Sequence, residues 1–205
     1  MMLIKKGAEA DIYLVDWYGK KAVSKVRNPK SYRNKVLDVE IRTKRTLHEA
    51  EMLANAKRAG VSTPLLYFVD RNNAEIVMQY IRGKLARDLI ERDLSICKDM
   101  GVYAAKLHVS NIVHGDLTTS NFIVNGCKPT LFDFGLAFHS DKIEDKAVDI
   151  RLIKEIMSSA HASVFKEAFD NFIGGYESVT GKVFASKILA KVREIERRGR
   201  YARVV

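Results

Sequence analysis

The sequence predicts an α+β fold in which an N-terminal antiparallel sheet with one long helix precedes a mostly helical C-terminal lobe. Three observations predict it: alternating apolar segments before residue 81, a long amphipathic segment among them, and helical periodicity after Gly83. We therefore expect an N-terminal lobe over residues 1–81, a C-terminal lobe over residues 82–197 and a basic tail over residues 198–205.

The strand segments come in two pairs, each joined by a turn signal. Apolar alternation over residues 7–15 and 21–26 predicts the first pair, and apolar runs over residues 64–70 and 75–81 predict the second. Together these segments favour an antiparallel sheet.

The helices are predicted from apolar residues at helical spacing. Leu37 to Ala59 forms the long amphipathic helix, which ends in a basic turn before a glycine. Ser95 is the expected N-cap of a helix whose apolar stripe runs from Met100 to Leu107. Further helices are expected over residues 147–157, 163–173 and 183–198.

Size and composition indicate a soluble globular protein. With 205 residues, 47% of them hydrophobic, the chain can bury one substantial core or two small lobes. It contains no run of eighteen apolar residues, so we expect a cytoplasmic protein with no membrane partner. Cys97 and Cys127 lie far apart and are expected to be isolated reduced thiols.

The positive charge is concentrated in two regions. The net charge is +10; residues 20–45 contain ten lysines and arginines against two carboxylates, and residues 191–205 contain six against two. Such clusters favour a polyanionic partner, with RNA or DNA as the leading candidates. The alternative is a highly charged solvated surface, as in heat-adapted proteins.

A pattern between residues 114 and 135 indicates phosphoryl transfer. His-Gly-Asp begins at His114, Asn121 follows five residues after Asp116, and Asp-Phe-Gly begins at Asp133 beyond a predicted hairpin. Asp116 would orient or deprotonate the acceptor, while Asn121 and Asp133 offer the oxygen ligands that suit Mg²⁺. Either motif alone is moderate evidence, but the two together are typical of a protein-kinase-like site.

The same hypothesis requires a strand lysine for the nucleotide phosphates and a helix glutamate to hold it. Lys25 lies at the end of a predicted strand, and Glu49 lies in the long helix. Glu51 is the competing partner, but it points about 200° away around the helix, so only one of the two faces the cleft. We choose Glu49.

Four segments together carry a resemblance to a known family. They are Gly-Ala-Glu-Ala from Gly7, Arg-Thr-x-x-Glu-Ala from Arg45, His-Gly-Asp-Leu-Thr-Thr-Ser-Asn-Phe from His114 and Asp-Lys-Ala-Val-Asp from Asp145. The chain resembles the small atypical kinase subunit of the KEOPS tRNA-modification complex, in its archaeal stand-alone form, which is related to RIO kinases. The resemblance implies a miniature bilobal protein-kinase fold and Mg²⁺-dependent ATP hydrolysis that supports threonylcarbamoyladenosine formation at position 37 of tRNA. It also implies binding to the Kae-type catalytic subunit and other subunits of that complex.

Two segments are expected to contact ATP besides Lys25 and Glu49. The first, the shortened phosphate loop, keeps only one glycine of the usual glycine-rich pattern. The second is the end of the predicted strand before Gly83, with Met78 against the adenine and the rest offering backbone groups; a simple core position fits Met78 equally well. The residues are Gly7, Ala8, Glu9 and Ala10 in the loop and Met78, Gln79, Tyr80 and Ile81 at the strand end.

Departures from ordinary protein kinases make water a credible acceptor. Gly115 stands where a kinase has the arginine that docks a phosphorylated activation loop. No Ala-Pro-Glu element follows Asp-Phe-Gly, so the peptide-substrate platform is missing. Asp149, in the helix behind, is expected to fix the backbone of the catalytic loop.

The C-terminal residues combine arginines with a tyrosine and are predicted to contact tRNA. The alternative is a merely solvated terminus. The residues concerned are Arg197, Arg198, Arg200, Tyr201 and Arg203.

Two other functions stay open. One is an independent serine/threonine protein kinase, and the other is a nucleotide-binding adaptor that tethers tRNA. The intact set of Lys25, Asp116, Asn121 and Asp133 argues against a catalytically dead scaffold.

Overall fold

A five-stranded antiparallel sheet forms the N-terminal part of the chain. The computed structural model describes residues 1–126 and 128–201, with side chains up to residue 198. The strands lie in the order β1-β2-β3-β5-β4. Their bounds are β1 Met2–Lys5, β2 Asp11–Trp17, β3 Lys20–Val26, β4 Leu66–Asp70 and β5 Glu75–Gln79.

The first strand, β1, is absent from the sequence-based expectation. All four of its residues are exposed, so they carry none of the alternation of burial that marks a strand packed on a core. It pairs with β2 at the edge of the sheet through an irregular register between Leu3 and Lys5.

Helix α1, Lys35–Arg58, begins where Asn34 accepts hydrogen bonds from Val36 N and Leu37 N. Arg58 and its neighbour in the last turn suit the negative end of the helix dipole. The apolar residues of its C-terminal half join the main core, and this packing orients the buried Glu49 on the same helix.

The remainder of the chain is mostly helical and carries two small sheets. Strand β6 pairs with β8, which pairs with β9, and β7 pairs with β10. The strands are β6 Lys84–Leu85, β7 Ile112–Val113, β8 Phe122–Asn125, β9 Lys128–Leu131 and β10 Phe138–His139. The helices are α2 Ser95–Val109, α3 Ile143–Ala160, α4 Phe165–Thr180 and α5 Lys182–Tyr201.

The predicted N-cap Ser95 is wrong by one position. Leu94 is the cap residue, and Ser95 is the first residue of α2. The backbone N–H and the hydroxyl of Ser95 both donate to Asp93 Oδ1, at 3.0 and 2.6 Å. An aspartate two residues earlier therefore supplies the acceptor that the serine was expected to supply.

Helices α2 and α4 pack backbone to backbone. A Cβ added at Gly101 would lie 1.9 Å from Phe172 O, and one added at Gly175 would lie 1.9 Å from Lys98 O. The two glycines therefore allow the backbones of α2 and α4 to approach this closely. Met100 of α2 and Phe172 of α4 are fully buried. Within residues 1–126 and 128–201, no helix is apolar enough over a sufficient length to cross a membrane.

Candidate active site

An open cleft of about 450 Å³ brings together residues from the sheet, α1 and the loops around Asp116 and Asp133. Its lining mixes basic and acidic side chains, which is suited to a phosphate group with a metal ion. The charged residues that line it are Lys5, Glu9, Lys25, Arg27, Arg45, Asp116 and Asp133.

Lys25 joins helix α1 to the Asp-Phe-Gly segment. Its Nζ lies 2.6 Å from Glu49 Oε1 and 2.8 Å from Asp133 Oδ1. Burial disfavours the ammonium, but the two carboxylates outweigh it and raise the pKa of Lys25 above its ordinary value. Lys25 is therefore a fixed positive charge, and Glu49 rather than the exposed Glu51 is its partner.

Arg27 is a charged member of this group that the sequence reasoning missed. Its Nη2 lies 2.5 Å from Glu49 Oε2, and both side chains are buried. Arg27 follows Lys25 by two residues, directly after the last residue of β3, and both side chains reach Glu49. That spacing was the available signal.

Asp133 lies on a left-handed stretch of backbone with φ 65°. Its side chain is 45% exposed and reaches the cleft. Burial alone would raise the pKa of Asp133, but the Lys25 ammonium more than offsets it, so the net pKa is below the usual value. The carboxylate is ionised at neutral pH, as a magnesium ligand must be.

Asn121 lies directly beside Asp116. Its Nδ2 donates to Asp116 Oδ2 at 2.9 Å and to Asp116 O at 2.8 Å. These bonds orient the Asp116 carboxylate, and they leave Asn121 Oδ1 without a hydrogen bond from the part of the chain that the structure describes. Asn121 O also accepts from Phe132 N at 3.0 Å, which ties the loop of Asp116 to the strand before Asp133.

Asp149 of α3 holds the backbone of the loop of residues 114–121, which carries Asp116 and Asn121. It accepts from His114 N at 2.7 Å and from Gly115 N at 2.9 Å. The ring of His108 lies 3.3 Å from the same carboxylate and 2.8 Å from Tyr176 Oη. The loop is thereby fixed to three helices, and His108, which belongs to no recognised sequence motif, is part of that connection.

Gly115 is required by the backbone at this point. Its φ is +77°, and an added Cβ would lie 2.4 Å from Leu136 O. The arginine of ordinary kinases therefore does not fit here in this conformation.

His114 is a buried, neutral ring. Burial lowers its pKa below the usual value, in spite of the nearby Asp149 carboxylate. Asp116 N donates to its Nδ1 at 3.3 Å, so the ring proton is on Nε2, which faces Phe132 O at 3.4 Å. The ring also packs on Phe134, with centroids 4.8 Å apart. His114 therefore acts as a structural support between the His-Gly-Asp and Asp-Phe-Gly motifs.

The shortened phosphate loop, residues 7–10, lines the cleft opposite these groups. A Cβ at Gly7 would lie 2.4 Å from Ala10 O, so the loop folds tightly on itself. Glu9 forms an ion pair with Arg45 of α1.

The predicted adenine contacts do not line this cleft. Met78 is buried against Ala50 and Ile76 in a small core cluster. Gln79 N donates to Leu65 O at 2.8 Å, so this backbone donor is already used within the sheet. Tyr80 and Ile81 follow the strand.

The predicted tRNA contacts lie in part outside the described side chains. Arg197 and Arg198 are exposed on α5, and Arg198 pairs with Glu144 at 2.9 Å. The side chains of Arg200 and Tyr201, and the whole of Arg203, lie outside the described residues.

A sequence profile of the RIO domain matches residues 18–166. The chain belongs to the RIO domain family. This RIO domain is 42% identical over 212 residues to the KEOPS complex subunit Bud32 of Pyrococcus abyssi, with 98% of this chain and 96% of that protein covered. It is 45% identical over 199 residues to a probable bifunctional tRNA threonylcarbamoyladenosine biosynthesis protein of Methanobrevibacter smithii. That match covers 97% of this chain and 36% of the other protein, so the chain spans about a third of that relative's length.

Solved structures show the same fold. The Rio2 kinase of Chaetomium thermophilum, in an ADP/Mg²⁺-phosphoaspartate complex, superimposes with a TM-score of 0.67. The identity is 16%, with 97% of this RIO domain and 72% of that chain covered. The predicted fold class and the predicted family are confirmed, and the chain is a kinase-type domain of the atypical, RIO-related class.

Proposed function

We propose that the chain is a Mg²⁺-dependent ATPase and atypical serine/threonine kinase subunit of a KEOPS-type complex. In this role it supports threonylcarbamoyladenosine formation at position 37 of tRNAs that read codons beginning with A. The observation that carries the proposal is the convergence of Lys25, Asp116 and Asp133 on one cleft, in a chain 42% identical to a KEOPS subunit along nearly its full length.

The donor set fits ATP and Mg²⁺. Asp133 offers an ionised, accessible carboxylate and Asn121 a neutral oxygen, and these two would hold the metal ion. No cage of three or more His, Cys, Asp or Glu side chains exists within residues 1–126 and 128–201, which suits a metal ion that keeps waters and phosphate oxygens as its other ligands. When bound, Mg²⁺ supplies positive charge to the phosphate oxygens.

Each protein group then has a defined task. Lys25, held by Glu49, provides a permanent positive charge for the α- and β-phosphates. Asp116, oriented by Asn121, accepts the proton of the attacking hydroxyl or orients a water molecule. The loop of residues 7–10 covers the phosphates. The adenine contacts are assigned to those backbone groups of residues 79–81 that the sheet leaves free, beside the cleft rather than in its lining.

Water is the acceptor that we favour. Only residues 136–142 separate Asp-Phe-Gly from α3, so the chain has no segment of the length that positions a peptide in ordinary kinases. The independent protein kinase is the alternative, and phosphorylation of a protein hydroxyl would use the same Asp116.

The complex and its tRNA belong to the same proposal. A relative named as a probable bifunctional tRNA threonylcarbamoyladenosine biosynthesis protein is almost three times as long as this chain. About a third of its length, 36%, matches this chain. This supports a partnership with a Kae-type catalytic subunit. We assign tRNA contacts to Arg197, Arg198, Arg200, Tyr201 and Arg203, a cytoplasmic location to the protein, and lobe boundaries at residues 81 and 197.

The test is ATP hydrolysis by the chain alone, with tRNA, with protein substrates, and with a Kae-type partner. Stimulation by the partner and tRNA together is the expected result, and Asp116→Ala and Asp133→Asn should each reduce turnover at least 100-fold with the fold retained. Deletion of residues 198–205 should weaken tRNA binding and reduce its salt dependence. Strong phosphorylation of proteins by the isolated chain would favour the independent kinase, and absence of turnover in every mixture would favour the adaptor.

A further inference from the structure

Arg45 of helix α1 lines the candidate active site, but the proposed function assigns it no task. It lies one helical turn before Glu49 and lines the same cleft as Lys25, Asp116 and Asp133. Its guanidinium pairs with the carboxylate of Glu9, which belongs to the shortened phosphate loop.

Two hydrogen bonds hold the loop that carries Glu9, one to Asp11 of β2 and one to Lys30. Gly7 N donates to Asp11 Oδ1 at 3.2 Å, and Lys30 Nζ donates to Ala8 O. Asp11 is itself buried and accepts from Asn28 Nδ2 at 2.6 Å. The backbone of the loop is therefore held independently of Arg45, and the Glu9 carboxylate is directed into the cleft.

The basic groups of the cleft differ in how firmly they are paired. Lys25 and Arg27 are buried and share the buried Glu49. The Arg45 and Glu9 side chains are 46% and 58% exposed, and within the part of the chain described by the structure Glu9 is the sole carboxylate that pairs with Arg45. An exposed ion pair of this kind contributes little and is readily exchanged.

A phosphate group competes well for such a guanidinium. Arginine binds carboxylates and phosphates through the same planar arrangement of N–H donors, and phosphate offers three acceptor oxygens and more negative charge. Glu9 thus occupies a donor set that a nucleotide phosphate would prefer.

We propose that Arg45 is a phosphate-binding residue of the nucleotide site and that Glu9 is its internal competitor. Glu9 holds the guanidinium in the cleft, and a nucleoside di- or triphosphate takes it over when it binds. This rests on the proposed function as an ATP site, and it assigns a task to the acidic residue that stands where other kinases have a glycine-rich loop.

The experiment is calorimetric titration of the full chain with Mg-ATP, Mg-ADP and adenosine. Arg45→Ala should weaken both phosphorylated ligands about tenfold and leave adenosine unchanged, while Arg45→Lys restores part of the loss. Glu9→Gln should tighten Mg-ATP several-fold, because the competitor is removed, and this gain should vanish in the Glu9→Gln/Arg45→Ala double variant.

A matched control is Arg58→Ala, an exposed arginine at the C-terminal end of the same helix whose side chain donates to Asn55 Oδ1. It should bind all three ligands as the unaltered chain does. Thermal melting of each variant separates a lost phosphate contact from a damaged helix.

Three outcomes would overturn the inference: weaker Mg-ATP binding by Glu9→Gln, unchanged binding by Arg45→Ala, or an equal loss for adenosine. In each of these cases the unaltered chain still binds Mg-ATP, so the proposed function stands. A chain that binds no nucleotide at all would defeat the proposed function itself.

Discussion

Arg27 and Glu49 form a buried ion pair in which Nη2 lies 2.5 Å from Oε2. The second oxygen of the same carboxylate bonds Lys25, so Glu49 is shared by a lysine of β3 and the arginine that directly follows this strand. Arg27 therefore positions the glutamate that positions the lysine.

We expect Arg27→Met to reduce ATP turnover at least tenfold, because Glu49 loses the partner that fixes its second oxygen. Removing one partner of a buried pair also destabilises a protein by about 3–5 kcal/mol. Steady-state kinetics and urea unfolding measure the two effects. Lys21→Met, on the exposed start of β3, is the control and should change neither; equal turnover by both variants would remove Arg27 from the site.

Gly115 and Gly19 provide a matched pair, since both have φ +77°. An added Cβ at Gly19 meets open space, whereas one at Gly115 would lie 2.4 Å from Leu136 O. Gly19→Ala should therefore cost about 1–2 kcal/mol from backbone strain alone, and Gly115→Ala should cost clearly more and also lower turnover. Urea unfolding measures the loss of stability, and ATP hydrolysis measures the loss of turnover. Similar losses of stability at the two positions would show that the loop adapts to the methyl group.

The buried His114 should make the folded protein less stable at acid pH. Its folded pKa is lowered by burial, so below the unfolded value of about 6.5 the unfolded chain binds more protons than the folded chain. The free energy of unfolding is then full above that pH and falls as the pH drops below it, with a slope of up to about 1.4 kcal/mol per pH unit. In His114→Gln this contribution to the slope should disappear between pH 6.5 and 5.

The contradicting outcome is a His114→Gln variant whose unfolding free energy keeps the pH dependence of the unaltered chain. His114 would then not be the group that titrates.

Adjacent glycines of α4 should respond in opposite directions. Gly175→Ala places a methyl group against Lys98 O and should destabilise the protein by roughly 2–3 kcal/mol. Gly174 faces open space, so Gly174→Ala should stabilise by about 0.5–1 kcal/mol through helix propensity. Thermal unfolding of the two variants is the measurement, and a loss in both would contradict the close approach of α2 and α4.

Local patterns were sufficient for most elements of the fold. Periodicity predicted the long helix and the paired strands, because each buries one face. It failed at β1, whose residues are all exposed, and at the start of α2, where Asp93 takes the bonds expected of Ser95.

The candidate site was also predicted only in part. The motifs predicted Lys25, Asp116 and Asp133, whose spacing along the chain is characteristic, and the structure brings these three to one cleft. The pairing of Arg45 with Glu9 joins residues 36 positions apart, and the contact of His108 with Asp149 joins residues 41 apart. Such pairs depend on how helices pack, which no local pattern contains.

The two hydrogen bonds that Asp149 accepts from the loop of residues 114–121 should also affect local unfolding. Because they attach His114 N and Gly115 N to the helical core, the amide protons of these residues should exchange with deuterium only when that core unfolds. The ion pairs of Lys25 lie between the sheet and the Asp-Phe-Gly segment and can break without such unfolding. The loop of residues 114–121 would then stay assembled when these ion pairs break.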